Sequence, residues 1–463
     1  MPVEGRPLAS DMLDEEGEDR RIGVSLATPE KIRSLQRKLY SKAKAEPAFR
    51  FYQLYDKIWR ADILAHAYAL CRANGGAPGV DGETFAMIEA QGEEKWLAGL
   101  GQELAAKTYR PQAVRRVKIP KPDGGERLLG IPTLRDRVAQ ASAKLVLEPI
   151  FEADLDDNAY GYRPQRSALD AVAATHRATG QGHTDVVDAD LTKYFDTIPH
   201  SDLLQSLARR ISDRHVLWLI KLWLKAPVEE RDGDGKRHMS GGKQSKVGTP
   251  QGGVISPLLA NLHMNRFLKY WRSRRCEEAF RAKLVNYADD FVILSRGHAQ
   301  EALAWTRQVM GRLGLTLNEA KTSVKDARTE SFDFLGYTFG VRFRHKDGRR
   351  YQGASPSRKS LKRIKTRIGD LLVPGNMAQW PEVRDQLNSL LVGWAAYFCH
   401  GSCGPAYQAV DEYVCERVRD FLARRHKEAG RGTVRFPWND IFGKLGVLRL
   451  VRKPPKATAV GQL

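Results

Sequence analysis

The chain has 463 residues, 42% of them hydrophobic, a net charge of +20 and a pI near 9.7. This size predicts several subdomains, and five cysteines without a CxxC pair argue against a disulfide framework and for a reducing compartment. This large positive charge favours nucleic acid as the partner; a basic surface that serves only solubility is the less favoured alternative. No apolar run approaches the ~18 residues of a membrane-spanning helix.

The first part of the chain is expected to be a tail followed by helices. Residues 1–28 are polar, lack periodicity and do not resemble a signal peptide, so a flexible N-terminal tail and a cytoplasmic, bacterial protein are predicted. In residues 29–71 the apolar residues recur at helical spacing. The glycine-rich loop at residues 74–82 lacks the Gly-Lys-Ser/Thr of a phosphate-binding P-loop and by itself indicates little.

A basic hairpin is predicted next, with strands at residues 114–119 and 127–129 around a Pro-Asp-Gly-Gly turn. Lys121 and Arg127 flank this turn. Two cations so close can clamp a triphosphate, Arg through paired hydrogen bonds and Lys as a point charge. From these residues alone, a basic hairpin that faces solvent is an equal alternative.

An acidic strand and a glycine-rich loop follow a predicted helix at residues 135–151. Along residues 184–191, Asp188 and Asp190 alternate with apolar residues, which predicts a strand with acids on one face. Phe195 follows where this strand turns into a helix. The loop at residues 248–257 contains glycines that let backbone approach a ligand closely, and it leads into a helix at residues 258–268.

Two adjacent aspartates, Asp289 and Asp290, lie between two β-favouring apolar runs. This pattern predicts a tight hairpin with the acid pair at its turn. Neighbouring carboxylates repel each other unless a cation, usually a divalent metal, lies between them; a solvated turn is the alternative. Asp190 would complete a two-metal site that activates an attacking hydroxyl and binds a leaving pyrophosphate, and Asp188, on the same strand face, is a rival third ligand.

The C-terminal part is expected to be basic and helical. After a helix at residues 302–313 and a strand and turn at 315–322, residues 332–339 predict an aromatic hairpin. Beyond residue 340 basic residues dominate, and the apolar spacing predicts three amphipathic helices with one basic side. The expected domains are 29–340, a helical domain at 341–425, and a basic, partly disordered segment at 426–463.

Taken in order, these motifs resemble those of the bacterial group II intron reverse transcriptases, also called intron maturases, from about residue 30 to about residue 450. Each motif alone is weak, but the ordered series is specific. The segments that carry the resemblance are GGAPGVDG (75–82), IPK (119–121), RLLGIP (127–132), DRVAQ (136–140), YGYRP (160–164), DLTKYFDTIPH (190–200), PQG (250–252), YADD (287–290), LNEAKT (317–322), FLGY (334–337) and LNSLLVGWAAYF (387–398).

The resemblance implies an α+β right-hand polymerase, with fingers and palm around an antiparallel sheet, followed by an α-helical thumb or maturase domain. It implies that Asp190, not Asp188, joins Asp289 and Asp290 in binding two divalent ions, Mg2+. The expected activity is RNA-templated DNA synthesis, in which a primer 3′-hydroxyl attacks the α-phosphate of a dNTP. The expected partners are an RNA template, a DNA primer, dNTPs and the parent intron RNA, but no membrane.

The resemblance also implies binding residues. Lys121 and Arg127 match cations that grip the incoming triphosphate, and Gln251 matches a glutamine that lines the nucleotide pocket. Phe195 matches the residue that blocks a ribose 2′-hydroxyl and so favours deoxynucleotides. Contacts with primer, template or intron RNA are expected from the primer-gripping hairpin and the basic residues around it: Lys321, Gly336, Tyr337, Arg358, Lys362 and Arg363.

One feature of the family has no counterpart in the sequence. The frequent C-terminal HNH endonuclease, with its paired cysteines, is not found, so the chain resembles the lineages that lack this domain. Two alternative functions stay open: an RNA-binding splicing factor with a vestigial polymerase, and a domesticated reverse transcriptase that serves phage defence or repair.

Overall fold

The computed structural model of the chain describes residues 26–120, 125–232, 236–344, 346–428 and 430–451. The predicted tail lies outside these residues except for positions 26–28, and so does Lys121 of the basic hairpin.

Helices dominate the N-terminal part of the described chain, and one strand pair interrupts them. Ile32, Leu39 and Ala43 are buried along one face of the first helix, as the helical spacing in residues 29–71 predicts. Thr133 caps the last helix by accepting a hydrogen bond from the backbone N–H of Asp136. The elements are α1 (Glu30–Ala45), α2 (Tyr55–Ile58), α3 (Ala61–Asn74), α4 (Phe85–Gln91), α5 (Glu93–Ala105), β1 (Val114–Pro120), β2 (Glu126–Ile131) and α6 (Leu134–Glu152).

The middle of the chain mixes helices and strands. Of the strand and turn predicted at residues 315–322, the turn is present, but the strand is reduced to one bridge between Leu317 and Leu191. The elements are α7 (Ala168–Gly180), β3 (Asp185–Asp190), α8 (Tyr194–Thr197), α9 (His200–Ala208), α10 (Arg214–Leu224), β4 (Pro227–Arg231), β5 (Arg237–Gly241), α11 (Ser256–Ser273), α12 (Cys276–Ala279), β6 (Lys283–Tyr287), β7 (Asp290–Ser295), α13 (Ala299–Arg312) and β8 (Ser323–Asp326).

A four-stranded sheet carries the basic hairpin. Strands β1 and β2 pair antiparallel as predicted, with Ile119 opposite Arg127. The structure adds β4, parallel to β1, and β5 at the edge, in the order β2-β1-β4-β5. Strand β5 is exposed along its whole length, so no apolar alternation marked it in the sequence.

A second four-stranded sheet, entirely antiparallel and ordered β6-β7-β3-β8, forms the centre of the molecule. Its inner strand β7 is buried on both faces, which explains the unbroken apolar run at residues 291–294. Val187, Ala189, Phe291 and Ile293 pack into the main core with the helices. Val186 and the other apolar residues of the opposite face pack with the aromatic strands that follow.

The C-terminal part consists of a small aromatic sheet and a helical domain. Its elements are β9 (Phe332–Phe334), β10 (Tyr337–Phe343), β11 (Arg350–Pro356), α14 (Arg358–Leu371), α15 (Trp380–Tyr397), α16 (Gly404–Arg425) and α17 (Trp438–Phe442). Helices α14, α15 and α16 match the three predicted helices and share one apolar core. In the residues that the structure describes, no helix is long and apolar enough to cross a membrane.

Two predicted domain boundaries change. Strand β10 runs through residue 340 and pairs with β11 along its length, so the helical domain begins at α14 rather than at 341. The predicted basic segment after 425 is folded up to Val451, since Ile441, Val447 and Leu450 are buried in the core of the helical domain. Buried Asp411 anchors this end by accepting hydrogen bonds from the backbone N–H groups of Leu450 and Val451.

Candidate active site

The acid pair lies at a two-residue turn between β6 and β7, as the sequence predicts. Ala288 has a φ of 56°, the left-handed conformation that such a hairpin requires. The side-chain amide of Asn286 donates to the Ala288 carbonyl at 2.8 Å, and a neighbouring chain segment backs the turn, with Tyr160 N donating to Asn286 O at 2.8 Å. The turn is therefore held from both sides.

Strand register brings the third acid to the pair. In the antiparallel pairing of β3 with β7, Asp190 is the direct partner of Asp290, whereas Asp188 is opposite Val292. Cross-strand partners lie on the same face of a sheet, with Cβ atoms only ~5 Å apart. The structure thus brings Asp190, Asp289 and Asp290 together at one end of the central sheet.

Burial and mutual repulsion make this cluster electrostatically unfavourable. Burial raises the pKa of Asp289, and the neighbouring Asp190 raises it further, while Arg127 and Lys321 lower it in part. The pKa of Asp290 lies well above its usual range because of burial and the charges of Asp188, Asp289 and Asp190. An additional positive charge between these carboxylates would relieve the repulsion.

Asp188 already has a cation of its own. Lys325 Nζ donates to its Oδ2 at 3.1 Å, and both side chains are largely buried. Burial raises the pKa of Asp188, and the Lys325 charge and hydrogen bond act against that rise. Asp188 is therefore paired with a largely buried counterion.

Asp190 is held by the turn that follows Leu317. Asn318 donates twice, from its backbone N–H to the Asp190 carbonyl at 2.8 Å and from its side-chain amide to Oδ2 at 3.1 Å. Lys321, predicted to contact primer or template, places its Nζ 3.4 Å from the same Oδ2.

The three aspartates fit divalent metal in their chemistry. They supply only carboxylate oxygens, the ligands that Mg2+ prefers, and the raised pKa values of Asp289 and Asp290 show that the protein alone does not compensate their charge. Within the described parts of the chain, however, no group of three or more His, Cys, Asp or Glu side chains is already arranged so that it could hold a metal ion. Mg2+ commonly keeps several waters and substrate oxygens as ligands, so an open carboxylate cluster suits it.

Phe195 lies on helix α8, which follows strand β3 and Asp190 in the chain. Its ring is buried and meets Tyr162 edge-on, with centroids 6.4 Å apart. Thr249 N donates to the Phe195 carbonyl at 2.8 Å, which ties this helix to the loop that carries Gln251.

Backbone contacts connect the Gln251 loop to the basic hairpin. Gly130 N of β2 donates to the Gln251 carbonyl at 2.5 Å. Gly252 has a φ of 110°, and a Cβ there would collide with the Gly130 carbonyl, so only glycine fits. Arg127, three residues before Gly130 on the same strand, is exposed. Its charge acts on Asp289, which places the hairpin on the side of the acids.

The predicted primer-gripping hairpin joins the helical domain. Leu335 and Gly336 form its turn with φ values of 49° and 78°, and the Gly336 carbonyl accepts a hydrogen bond from Ser357 N at 2.9 Å. The Tyr337 side chain is fully buried, and its hydroxyl donates to the Tyr397 carbonyl at 2.5 Å. The Tyr337 ring thus anchors the hairpin to the helical domain, and a contact of this hairpin with primer or template stays a prediction.

A basic face covers helix α14. Ile364 and Ile368 point into the domain core, and Arg358, Lys362 and Arg363 are exposed on the other side. Among the described residues, none of these three cations forms an ion pair. Uncompensated cations in a row are typical of a phosphate-binding surface.

Two residues that shape the site could not be identified from the sequence. Asn318 belongs to the LNEAKT motif, but nothing in that motif shows that its amide meets Asp190. Gly161 approaches the acidic turn so closely that a Cβ would lie 2.6 Å from Ala288 N. The YGYRP motif signals a tight turn, and only the fold shows what the glycine meets.

Comparisons with known proteins agree with this geometry. A family model for reverse transcriptase (RNA-dependent DNA polymerase) matches residues 119–339, and one for the group II intron maturase-specific domain matches residues 361–436. Protein YkfC of Escherichia coli is 34% identical over 345 residues, which is 66% of this chain and 87% of YkfC. Group II intron-encoded protein LtrA of Lactococcus lactis is 29% identical over 357 residues, 63% of this chain and 57% of LtrA.

A more distant similarity links the chain to an organellar protein. Nuclear intron maturase 2, mitochondrial, of Arabidopsis thaliana is 31% identical over 106 residues, 22% of this chain and 14% of the relative. This chain thus spans most of YkfC but little more than half of LtrA. With the polymerase motifs, the acidic cluster and the helical domain in the same order, the chain belongs to the reverse transcriptases of group II introns.

Proposed function

We propose that this protein copies RNA into DNA and that Asp190, Asp289 and Asp290 hold its two catalytic Mg2+ ions. The observation that carries the proposal is the register of β3 against β7, which pairs Asp190 with Asp290 beside Asp289. When bound, the ions would lower the pKa of the primer 3′-hydroxyl and neutralise the pyrophosphate that leaves. The protein needs no nucleophilic side chain, since positioning and electrostatics suffice for this reaction.

The incoming dNTP would be bound by groups from two elements. Arg127 and Lys121 of the basic hairpin supply cations for the triphosphate. Gln251 and Phe195 would line the sugar and base side, where the buried Phe195 ring would exclude a 2′-hydroxyl. The contact between Gly130 and Gln251 supports this arrangement, because it ties the strand that carries Arg127 to the loop that carries Gln251.

The exposed face of α14 would bind nucleic acid through phosphates. Arg358, Lys362 and Arg363 have no competing carboxylates among the described residues, and phosphate contacts of this kind do not depend on sequence. The maturase-specific match covers most of this helix, so the parent intron RNA is the second proposed ligand, besides the primer–template duplex.

The cysteines support a reducing compartment. Cys71, Cys276, Cys399, Cys403 and Cys415 are all free thiols in the structure. Free thiols are compatible with a reducing compartment, and the bacterial cytoplasm is the compartment we propose.

The decisive test is primer extension with Asp289→Asn beside wild type, on an RNA template with dNTPs and Mg2+. We expect incorporation to fall to background, since the variant loses a metal ligand but keeps its shape. Exposed Asp56 offers a control, and Asp56→Asn should extend primers as wild type does. Equal incorporation by Asp289→Asn and wild type would contradict the proposal and favour a splicing factor with a vestigial polymerase.

A domesticated role in phage defence or repair would leave this assay unchanged. It is distinguished by the genome, because an intron-encoded protein has intron RNA domains on both sides of its coding region.

A further inference from the structure

The turn at residues 318–321 contacts Asp190 in two ways that differ in charge. We propose that Asn318 orients the Asp190 carboxylate toward a divalent cation, whereas Lys321 competes with that cation for the same carboxylate. This inference rests on the proposed function, because it takes Asp190 as a metal ligand. Asn318 and Lys321 are thus positioning residues with opposite effects on metal affinity.

Backbone hydrogen bonds fix the position of Asn318. Its backbone N–H donates to the Asp190 carbonyl at 2.8 Å, and its carbonyl accepts hydrogen bonds from Lys321 N at 3.0 Å and Thr322 N at 2.8 Å. The preceding residue, Leu317, forms a β-bridge with Leu191, directly after Asp190. The turn and the end of β3 therefore behave as one unit, and the Asn318 amide meets Asp190 in a fixed geometry.

The two carboxylate oxygens of Asp190 are used unequally. Oδ2 accepts from the Asn318 amide at 3.1 Å and lies 3.4 Å from Lys321 Nζ, while Oδ1 has no hydrogen-bond donor among the described residues. Asn318 is neutral, so it restricts rotation of the carboxylate without cancelling its charge. Hydrogen bonds of this type hold ligating carboxylates in productive orientations. Oδ1 is left for the cation.

Lys321 differs from Asn318 because it carries a positive charge and is exposed. Its side chain is 58% exposed, and its ammonium lies beyond good hydrogen-bond distance from Oδ2. Lys325, which serves Asp188, is 27% exposed and hydrogen-bonded at 3.1 Å. Lys325 therefore stays as a permanent counterion, whereas Lys321 neutralises Asp190 only until a divalent cation displaces it.

The test is Mn2+ binding to the full-length protein without nucleic acid or nucleotide, measured as free Mn2+ by electron paramagnetic resonance. Asn318→Ala should raise the dissociation constant about 10-fold or more, as the loss of an outer hydrogen bond to a metal ligand does. Lys321→Met should lower it about fivefold, because a nearby like charge is removed. Asp190→Asn must abolish the tight component seen with wild type, which assigns the signal to this site.

A matched control and the opposite changes in the Mn2+ dissociation constant distinguish this inference from a purely structural role of the turn. Lys444→Met removes an exposed cation that pairs with Asp440, and it should leave Mn2+ binding unchanged. If Asn318→Ala and Lys321→Met both weaken Mn2+ binding, the turn only supports the fold and the inference is wrong. The inference is also wrong if either variant has no effect. It is equally wrong if wild type shows no Asp190-dependent Mn2+ binding. The Mn2+ assay does not measure polymerisation. If the two variants shift the dissociation constant in opposite directions but wild type fails to extend primers, the proposed function is refuted and the inference stands.

Discussion

Asp188 and Asp190 are two positions apart on one strand face, yet they have different surroundings. Asp188 forms a hydrogen bond with Lys325, and Asp190 faces Asp290 and the neutral amide of Asn318. The amino-acid type is the same, so the difference comes from the partners that the fold supplies. At the scale of the residue, the two carboxylates differ in their counterions: Lys325 beside Asp188 is 27% exposed, whereas Lys321 beside Asp190 is 58% exposed and 3.4 Å away.

The proposed role of Phe195 is to discriminate between deoxynucleotides and ribonucleotides, and the variant Phe195→Ala tests it. Replacing Phe195 with Ala removes the ring beside Tyr162 and opens space for a 2′-hydroxyl. We expect the selectivity for dNTPs over rNTPs to fall at least ~10-fold, because exclusion by shape is lost. The ratio of kcat/KM values for the two nucleotides in one preparation measures this and is insensitive to the folded fraction. An unchanged ratio would count against the steric role.

His263 predicts a pH dependence of stability. Its side chain is fully buried on α11, Nε2 hydrogen-bonds to the Leu313 carbonyl at 3.1 Å, and burial lowers its pKa to about 4. In the unfolded chain the pKa returns to about 6.5, so the unfolded state binds more protons below that pH and stability falls as the pH decreases. Between pH 7 and pH 5 the loss should be about 2 kcal/mol.

Urea unfolding of wild type and His263→Gln at the two pH values measures this loss. The variant keeps a donor for the Leu313 carbonyl but does not titrate, so its free energy of unfolding should depend less on pH. The same slope in both proteins would show that His263 does not carry the effect.

At the scale of the element, the acidic turn depends on a segment that is remote in sequence. Residues 158–161 run parallel to β6, and Ala159 forms a β-bridge with Asn286 of that strand. Asn261 of α11 fixes this segment by donating to the Gly161 carbonyl at 2.7 Å. Residues 158–161 and, through them, α11 thus support the turn that carries Asp289.

Gly161→Ala tests this support. The added Cβ would lie 2.6 Å from Ala288 N and 3.2 Å from the Tyr287 carbonyl carbon, so the turn must move. We expect the kcat of primer extension to fall between ~10-fold and ~100-fold, since displacements of about 1 Å can have that effect. Gly311→Ala, on α13 where nothing lies within 4 Å, is the control and should be neutral or slightly stabilising. Full activity of Gly161→Ala would show that the turn tolerates displacement.

At the scale of the whole molecule, the aromatic sheet joins the central sheet to the helical domain. Tyr337 donates to Tyr397 O, and Ser360 Oγ at the start of α14 donates to the Gly336 carbonyl at 2.9 Å. His176 of α7 and His400 after α15 are hydrogen-bonded at 3.0 Å across the same junction. The basic face of α14 is therefore held in a defined position relative to the acids.

This arrangement predicts how salt affects nucleic-acid binding. The double variant Lys362→Ala/Arg363→Ala should weaken binding to RNA–DNA duplexes regardless of sequence. It should also lower the slope of log K against log salt by about 1 for each phosphate that the protein no longer neutralises. The double variant Arg307→Ala/Lys444→Ala removes the same net charge from cations that pair with Glu319 and Asp440, and should leave the slope unchanged. Equal slopes for wild type and the α14 variant would exclude this face as the phosphate-binding surface.

Most elements around the site are predictable from the sequence. The apolar spacing in α1, α6 and α14, the alternation in β3 and the turn between β6 and β7 all depend on residues close in the chain. Edge strand β5 escaped prediction because it is exposed on both faces. The segment after residue 425 was predicted as partly disordered because its basic composition hides the few apolar residues that enter the core of the helical domain.

By itself, the sequence determined the kind of protein: the ordered motifs, the acid pair at a hairpin turn and the basic helices all depend on local pattern. The tertiary structure decided which groups meet. It paired Asp190 with Asp290 across two strands, brought Asn318 to Asp190 from 128 positions away, and assigned Lys325 to Asp188. The reason is physical, because propensity and periodicity act between neighbours in the chain, whereas strand register and side-chain partners depend on how the whole core packs.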